Sequence, residues 1–356
     1  MAGAACAYAL SVRGCEVTVL SDGTGASHLP VGLLAAHLSA QDIPLSQLSR
    51  IGVQLTLVHA RALLREGIDW QPCSLEQRLL GLPSKNERLR QGAATLPDWY
   101  EVQPDHVLHT TAAWIKPQAL AAAWLAQPGI RVQLTQISAL RNSGGLWQVL
   151  NAQGEALAQA DQLIIAAGVQ TADLLQSCGL DLNLALVDGS VALGAWPHHP
   201  CQQQPAHVVN GNGHFIGGVP DLEHGAMWLS GATYDRETYA SPAAREAANL
   251  QANQERLASL LPADLLQAIN AQFTKAQVRS WQGSRCTTSD RFPAVGQLAA
   301  GLHVCTAMGS RGLSFSALCG ELLASEITAT EPSVLLSADL RQEIVASRNT
   351  CRAACN

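Results

Sequence analysis

Two arginines stand out in the 356-residue sequence because each sits among small residues beside a glycine loop: Arg285 in Gly283-Ser284-Arg285-Cys286, and Arg311 in Gly309-Ser310-Arg311-Gly312-Leu313. A guanidinium so placed can pair in a bidentate way with a substrate carboxylate, or stabilise negative charge on a reduced cofactor. A structural salt bridge is the competing role for Arg285; for Arg311 a loop-positioning role is favoured. Tyr234 and Arg236, just after Ala232, are placed on the substrate side, whereas Trp281 reads as core rather than as a cofactor wall. No Gly-x-Ser-x-Gly elbow or His-Glu-x-x-His run occurs. His198-His199, His207, His214, His224 and His303 lack metal-ligand spacing, so no metal set is expected.

The elements that must position these residues follow from the chain order. Ala4 to Leu10 is a small-residue helical run, Arg13-Gly14 breaks it, and Glu16 to Leu20 is a β-branched strand. With Gly3 ahead of the helix, this reads as the second half of a dinucleotide-binding βαβ unit whose first strand and two leading glycines have no counterpart in the sequence. Asp22, just past the strand, is placed either as a ribose-binding carboxylate or as a turn cap. Gly25 to Gly32 is a loop of small residues able to approach a phosphate or ring, followed by an expected helix over 33–40 and a longer one over 45–66. The latter carries Leu48, Ile51, Leu55, Val58 and Leu63 on one broad face. Leu163 to Gly168 reads as a parallel strand whose Ala167-Gly168 end either touches a ligand or makes a structural turn. Leu302 to Ala307, the 309–313 loop and the helix 314–327 form a second strand–loop–helix unit. Four such loops in one α/β layer favour a bound dinucleotide more than any one of them does, and an α/β domain without a cofactor stays open as the alternative. Segments 69–105 and 182–282 differ in texture and read as a substrate or cap domain; 1–68, 106–181 and 283–350 form the discontinuous nucleotide-binding part.

Bulk composition narrows the class. Apolar residues make up 47% and charged residues 14%, enough for a large core and against disorder. A net charge of −6 gives no general basic footprint for nucleic acid, although a local patch is compatible with it. Apolar runs are interrupted before the roughly 18 residues of a membrane span, and no basic region precedes the apolar start, so neither a span nor a secretory leader is expected. Ten cysteines without a Cys-x-x-Cys pair read as free thiols in a reducing compartment, hence a cytoplasmic location.

These stretches resemble the FAD-dependent D-amino-acid-oxidase-like superfamily, which includes the glycine and sarcosine oxidases, over nearly the whole chain. Met1-Ala2-Gly3-Ala4-Ala5 matches the end of the family's glycine loop, Gly25-Ala26-Ser27 its flavin-contacting loop, Ala166-Ala167-Gly168 its late strand end, and Gly309 to Leu313 its C-terminal loop near the flavin ring. Within the superfamily the chain is most similar to the MnmC-like branch, the oxidoreductase module of enzymes that modify the wobble uridine of bacterial tRNA. The narrower signal is Gly231-Ala232-Thr233-Tyr234 and the run Arg285-Cys286-Thr287-Thr288-Ser289-Asp290-Arg291-Phe292-Pro293-Ala294-Val295-Gly296. The resemblance implies a Rossmann-like FAD domain with an inserted α+β substrate domain. It implies cofactor contacts from Ala2, Gly3, Asp22, Gly25, Ala26, Ser27, Ala167, Gly168, Gly309, Ser310, Gly312 and Leu313, and active-site roles for Arg285, Tyr234 and Arg311.

The implied reaction is oxidation of a CH–NH donor, with hydride passing to the flavin N5. In the MnmC-like case the carboxymethyl group of carboxymethylaminomethyl-uridine in tRNA leaves as glyoxylate after imine hydrolysis. Dioxygen is the implied electron acceptor. Where that branch has Asn-Arg-x-Gly after Ala-Ser, this chain has His28-Leu29-Pro30-Val31-Gly32. Two alternatives stay open: an oxidase of small amines or amino acids, and a truncated homologue without catalysis. Oligomeric state is not legible in the sequence.

Overall fold

A computed structural model describes residues 1–197, 208–235 and 239–349. Arg236, His198-His199 and His207 therefore lie outside the described residues, as do Cys201, Cys351 and Cys355; the other seven cysteines are free.

The small residues of the first helix, Ala2–Val12, allow close packing. It lies against the helix Gly312–Thr328 so tightly that a Cβ on Gly320 would come within 2.7 Å of the Ala5 carbonyl carbon. Arg13, at its C-terminal end, closes the pair with a bidentate bond to Glu321 at 2.7 and 3.1 Å. Gly312–Thr328 is buried all round from Leu313 to Ser325, as its apolar composition requires. The helix Pro44–Leu63 packs on its other side, but through a face shifted from the expected one. Leu48 is buried as predicted, whereas Val58 is 55% exposed and the contact runs through Ser49, Gly52, Val53, Thr56 and Ala60. The small residues win because Gly52 lets the helices touch: a Cβ there would overlap the Ser314 carbonyl oxygen.

Parallel strands flank these helices. Val17–Ser21 pairs with Ile130–Leu134, and Leu163–Ile165 pairs with Leu302–Thr306, which also takes Ala294–Ala299 antiparallel. The two pieces do not pair with each other. Crossovers between parallel strands need intervening chain, here including the helices Pro117–Leu125 and Thr171–Ser177. A three-stranded meander, Ala139–Ser143, Leu146–Leu150 and Ala156–Ala160, adjoins this layer.

The second layer is a nine-stranded mixed sheet. Its order runs Arg279–Thr287, Ala185–Ala195, Gly225–Gly231, Gly213–Asp221, Val208–Gly211, Trp70–Arg78, His106–Ile115 and Gly32–Ala35, with Tyr100–Val102 paired to His106–Ile115. Segments 69–105 and 182–282 supply six of these strands whole. Gly32–Ala35 corrects the helix expected over 33–40: its burial alternates and it pairs with Ala112 to Ile115, so cross-strand pairing overrides local helix propensity. One sheet face is packed by Val191, Leu193, Val208, Ile216, Leu229 and Trp114. On the opposite face Phe215, Trp228 and Val209 pack against the helices Pro242–Leu257 and Ala263–Thr274 through Leu257, Leu265 and Ile269. Trp281 folds across Gly283 and packs against the first of these clusters, which fits its reading as core. The architecture is α/β, a Rossmann-like layer combined with an α+β layer. No helix among the described residues is long and apolar enough to cross a membrane.

Candidate active site

The glycine loops converge through the strand Arg279–Thr287. That strand packs against both the turn Ala26–His28 and the turn Gly168–Gln170, and its end at Cys286 accepts a 2.9 Å hydrogen bond from the Gly309 amide. Around the first helix, the Met1 ammonium donates to Ser27 Oγ at 2.8 Å, and a Cβ on Gly3 would sit 3.3 Å from that of Ala166. Ala2, Gly3, Ser27 and the Ala167-Gly168 strand end are thus neighbours. Asp22 joins them through Gln170 Nε2 at 3.2 Å, while its other oxygen accepts from the Thr24 amide and hydroxyl. Those Thr24 bonds, with Gln170 adding to them, hold its carboxyl below the usual aspartate range. In this structure Asp22 is a turn acceptor.

The C-terminal loop is fixed just as firmly. Thr56 Oγ1 donates to Leu313 O at 2.8 Å, and Leu313 presses on Gly32, where a Cβ would meet its Cδ1 at 2.7 Å. Neither Ala2–Val12 nor Gly312–Thr328 has a side-chain cap or an acidic first turn, so both positive helix ends are uncompensated. Gly25, Gly168 and Gly312 have no heavy atom within 4 Å of where a Cβ would be, and Gly25 and Gly168 hold φ values of +121° and +55°. Open glycine edges beside two uncapped helix ends suit an extended anionic cofactor.

The two arginines face the space between the layers differently from a salt bridge. Arg285 stacks over the Tyr234 ring, 4.8 Å from its centroid, and donates to Thr233 O at 3.3 Å. Gly189 on the next strand leaves it room, since a Cβ there would sit 2.6 Å from Arg285 Nη1. Arg311 is partly buried at the N-terminus of its helix. Burial draws its guanidinium below the ordinary arginine range, Arg291 adds to the shift and Tyr234 opposes it. Among the described residues neither arginine has a carboxylate partner. Tyr234, half-exposed, thus lies under one of these cations and is close enough to the other to influence its charge.

Of two histidines near the arginines, the sequence reading leaves His37 unnamed and weighs His214 only as a metal ligand. His37 is drawn down to about 4 by burial and by Arg311, and His214 to about 4 by burial and by Arg285. Both are neutral at pH 7. Only pairing of Gly32–Ala35 into the sheet brings His37 near Arg311, and no spacing rule announces that. Asp221, Glu223 and His224 gather on an exposed turn with ligand atoms within 4.8 Å of one another, a grouping that sequence spacing did not show. Arg279 already pairs with Glu223 there at 2.7 Å.

The profile of the FAD-dependent oxidoreductases, DAO, matches residues 1–326. The chain belongs to this family. It is an FAD-dependent oxidoreductase, the enzyme class and cofactor expected from the sequence. It is related to the oxidase module of MnmC: it is 38% identical to the tRNA 5-methylaminomethyl-2-thiouridine biosynthesis bifunctional protein MnmC of Polaromonas naphthalenivorans, over 96% of this chain and 57% of that protein. It is 40% identical to the MnmC protein of Albidiferax ferrireducens, over 91% and 54%. The chain thus spans little more than half the length of these relatives. Among solved structures, glycine oxidase from Geobacillus kaustophilus superposes with a TM-score of 0.70 at 23% identity, covering 94% of each chain. Iminodiacetate oxidase from Chelativorans gives 0.70 at 18%, covering 94% and 95%. At these identities the superpositions establish the fold of this DAO-family chain.

Proposed function

We propose that this oxidoreductase oxidises the secondary amine of carboxymethylaminomethyl-uridine at the tRNA wobble position and removes the carboxymethyl group. The observation that carries the reading is the pair of arginines, Arg285 and Arg311, flanking Tyr234 without carboxylate partners among the described residues. A buried-side cation without an anion is costly unless a ligand supplies one, and the substrate's carboxymethyl carboxylate is such a ligand. The MnmC proteins, named for tRNA thiouridine biosynthesis, support this choice of substrate.

Bound FAD supplies the two-electron acceptor for the C–H next to the substrate nitrogen. Arg285, oriented by Thr233 O and Tyr234, holds the substrate carboxylate. Arg311, at the start of Gly312–Thr328, keeps positive charge beside the cofactor loop. Ala2, Gly3, Gly25, Ala26, Ser27, Ala167, Gly168, Gly309, Ser310, Gly312 and Leu313 hold the cofactor, with Asp22 at its ribose side. Neutral His37 and His214 add no competing charge. Water then adds to the imine carbon, glyoxylate leaves and the aminomethyl group remains on uridine. Dioxygen as the reoxidant and the cytoplasm as the location complete the proposal. Segments 69–105 and 182–282 form the greater part of the substrate wall, and 1–68, 106–181 and 283–350 the greater part of the FAD domain.

A second reading, an oxidase of small amines such as glycine or sarcosine, draws support from the acidic net charge of −6. The test is nucleoside analysis of tRNA carrying the carboxymethylaminomethyl group after incubation with the FAD-loaded protein. Conversion to aminomethyl-uridine with matching glyoxylate is expected. Unchanged tRNA alongside turnover of sarcosine would install the second reading instead.

A further inference from the structure

A pocket of about 300 Å³ opens where the strands Val208–Gly211 and Gly213–Asp221 turn, next to Tyr234. Gly211, Gly213 and Gly231 are among the residues that line it. Gly213 has φ +93°, and a Cβ there would lie 2.8 Å from Gly231 O and 3.4 Å from Arg256 Cδ, so only glycine fits there. Four polar side chains look onto it: Asn210, Asn212, His214 and Arg256.

Each of three carries unspent hydrogen-bonding capacity in a fixed position. Asn210 Nδ2 donates to Gln77 Oε1 on the neighbouring strand at 2.6 Å, which locks the amide and leaves Oδ1 as an acceptor. His214 lies directly across the hairpin from Asn210, and its Nε2 is enclosed with no partner among the described residues. Burial keeps that ring neutral, with a pKa of about 4. Arg256 is anchored by Nη1 to Ala232 O at 3.0 Å and Asn253 Oδ1 at 3.3 Å, and among the described residues no carboxylate neutralises it. An orphaned buried polar atom is expensive unless something pairs with it.

The volume sits at the lower bound of ligand pockets, about 300–1,000 Å³. It is large for a glycine-sized amine and small for more than one nucleotide. Its chemistry is one aromatic face, a fixed amide able to pair with a ring edge, a neutral imidazole, and a guanidinium for an anion.

We infer that this pocket is a pyrimidine-nucleotide subsite, with the base edge on Asn210, the base face toward Tyr234 and the phosphate toward Arg256. It rests on the tRNA reading proposed above and names the residues that select the nucleotide. It also places the base beside Arg285, which shares Tyr234, so that a carboxylate carried on the base's side arm reaches the arginine.

The test uses the FAD-loaded protein and two probes without any oxidisable amine, uridine and uridine 5′-monophosphate, titrated by calorimetry. The wild type binds both, the monophosphate more tightly. Asn210→Ala weakens both about tenfold, the size of one buried hydrogen bond. Arg256→Ala removes the preference for the monophosphate and Arg256→Lys restores part of it. Asn210→Ser, which changes less volume, serves if Asn210→Ala does not fold. No binding of the monophosphate by the wild type, or equal affinities in wild type and variants, overturns the subsite. Binding and oxidation fail separately: intact monophosphate binding without tRNA oxidation removes the proposed function, and tRNA oxidation without monophosphate binding removes the subsite.

Discussion

Gly52 sits at the closest approach of two helices, and replacing it with alanine tests how the cofactor loop is held. A Cβ at this position would overlap the Ser314 carbonyl oxygen and lie 3.0 Å from the Ser314 carbonyl carbon. Both are backbone atoms, so no rotamer relieves the clash. Pro44–Leu63 and Gly312–Thr328 must separate by about 1.5 Å to regain an ordinary contact. Separation stretches the Thr56 Oγ1 to Leu313 O bond, 2.8 Å in the native packing. Overpacking costs about 1–3 kcal/mol, and a buried hydrogen bond left unmade costs about 1–3 kcal/mol. The better helix propensity of alanine returns about 1 kcal/mol. The net loss is about 3 kcal/mol, a fall in Tm of about 4 °C for a chain of 356 residues. Arg311 to Leu313 move with the helix end, so retained FAD falls as well. Urea unfolding of the apo chain and flavin content after gel filtration measure the two effects. Gly312→Ala is the contrast. Nothing lies within 4 Å of its Cβ position, so apo stability stays within about 0.5 kcal/mol of wild type while FAD affinity drops. A Gly52→Ala protein as stable as wild type, with full flavin, would refute the account of how the loop is positioned.

Acid stability follows from the buried histidines. His37, His109 and His214 are each drawn to about 4, chiefly by burial. Unfolded histidine takes up its proton near pH 6.5 and the folded ring only near 4, so stability is fully present above pH 6.5 and drains between 6.5 and 4. Each ring removes about 2 kcal/mol by pH 5. His109→Phe keeps the edge-on contact with Tyr100, 4.8 Å between centroids, and flattens the pH dependence by about that amount in urea melts; an unchanged slope contradicts it. Arg285→Ala raises KM for carboxylate-bearing amines about 10–100-fold, the loss of charge-assisted hydrogen bonds, with partial recovery in Arg285→Lys; steady-state kinetics with unchanged KM would return Arg285 to a purely structural role.

Much of the nucleotide-binding layer was legible because its signals are local. The first helix, which begins at Ala2 and includes Gly3, the strand before Asp22, the Ala167-Gly168 strand end and the 309–313 loop each announce themselves by small residues and a period. What stayed hidden depends on pairing across long separations. Gly32–Ala35 reads as helix until His106–Ile115 arrives to pair with it, and His37 follows it into place. Of the face expected on Pro44–Leu63, Leu48, Ile51, Leu55 and Leu63 do pack inward and only Val58 is exposed, but the closest helix contact is set by how near Gly52 lets a neighbour come, which hydrophobic periodicity does not weigh. The stacking of Arg285 on Tyr234 joins a strand residue to one 51 positions away that lies just past the end of another strand, and the sheet order brings the two together. The Asn210–His214 pair lies on a hairpin whose sequence is glycine and asparagine, and nothing there separates an ordinary turn from a pocket wall.

The central claim is that FAD in this protein takes electrons from a carboxymethylamino group carried on tRNA. Anaerobic mixing of the FAD-loaded enzyme with tRNA bearing carboxymethylaminomethyl-uridine tests it most directly, because only the first half-reaction is observed. The account predicts bleaching of the flavin band and release of glyoxylate equal to the flavin reduced. A flavin that stays oxidised with this tRNA, yet bleaches with sarcosine or glycine, contradicts it.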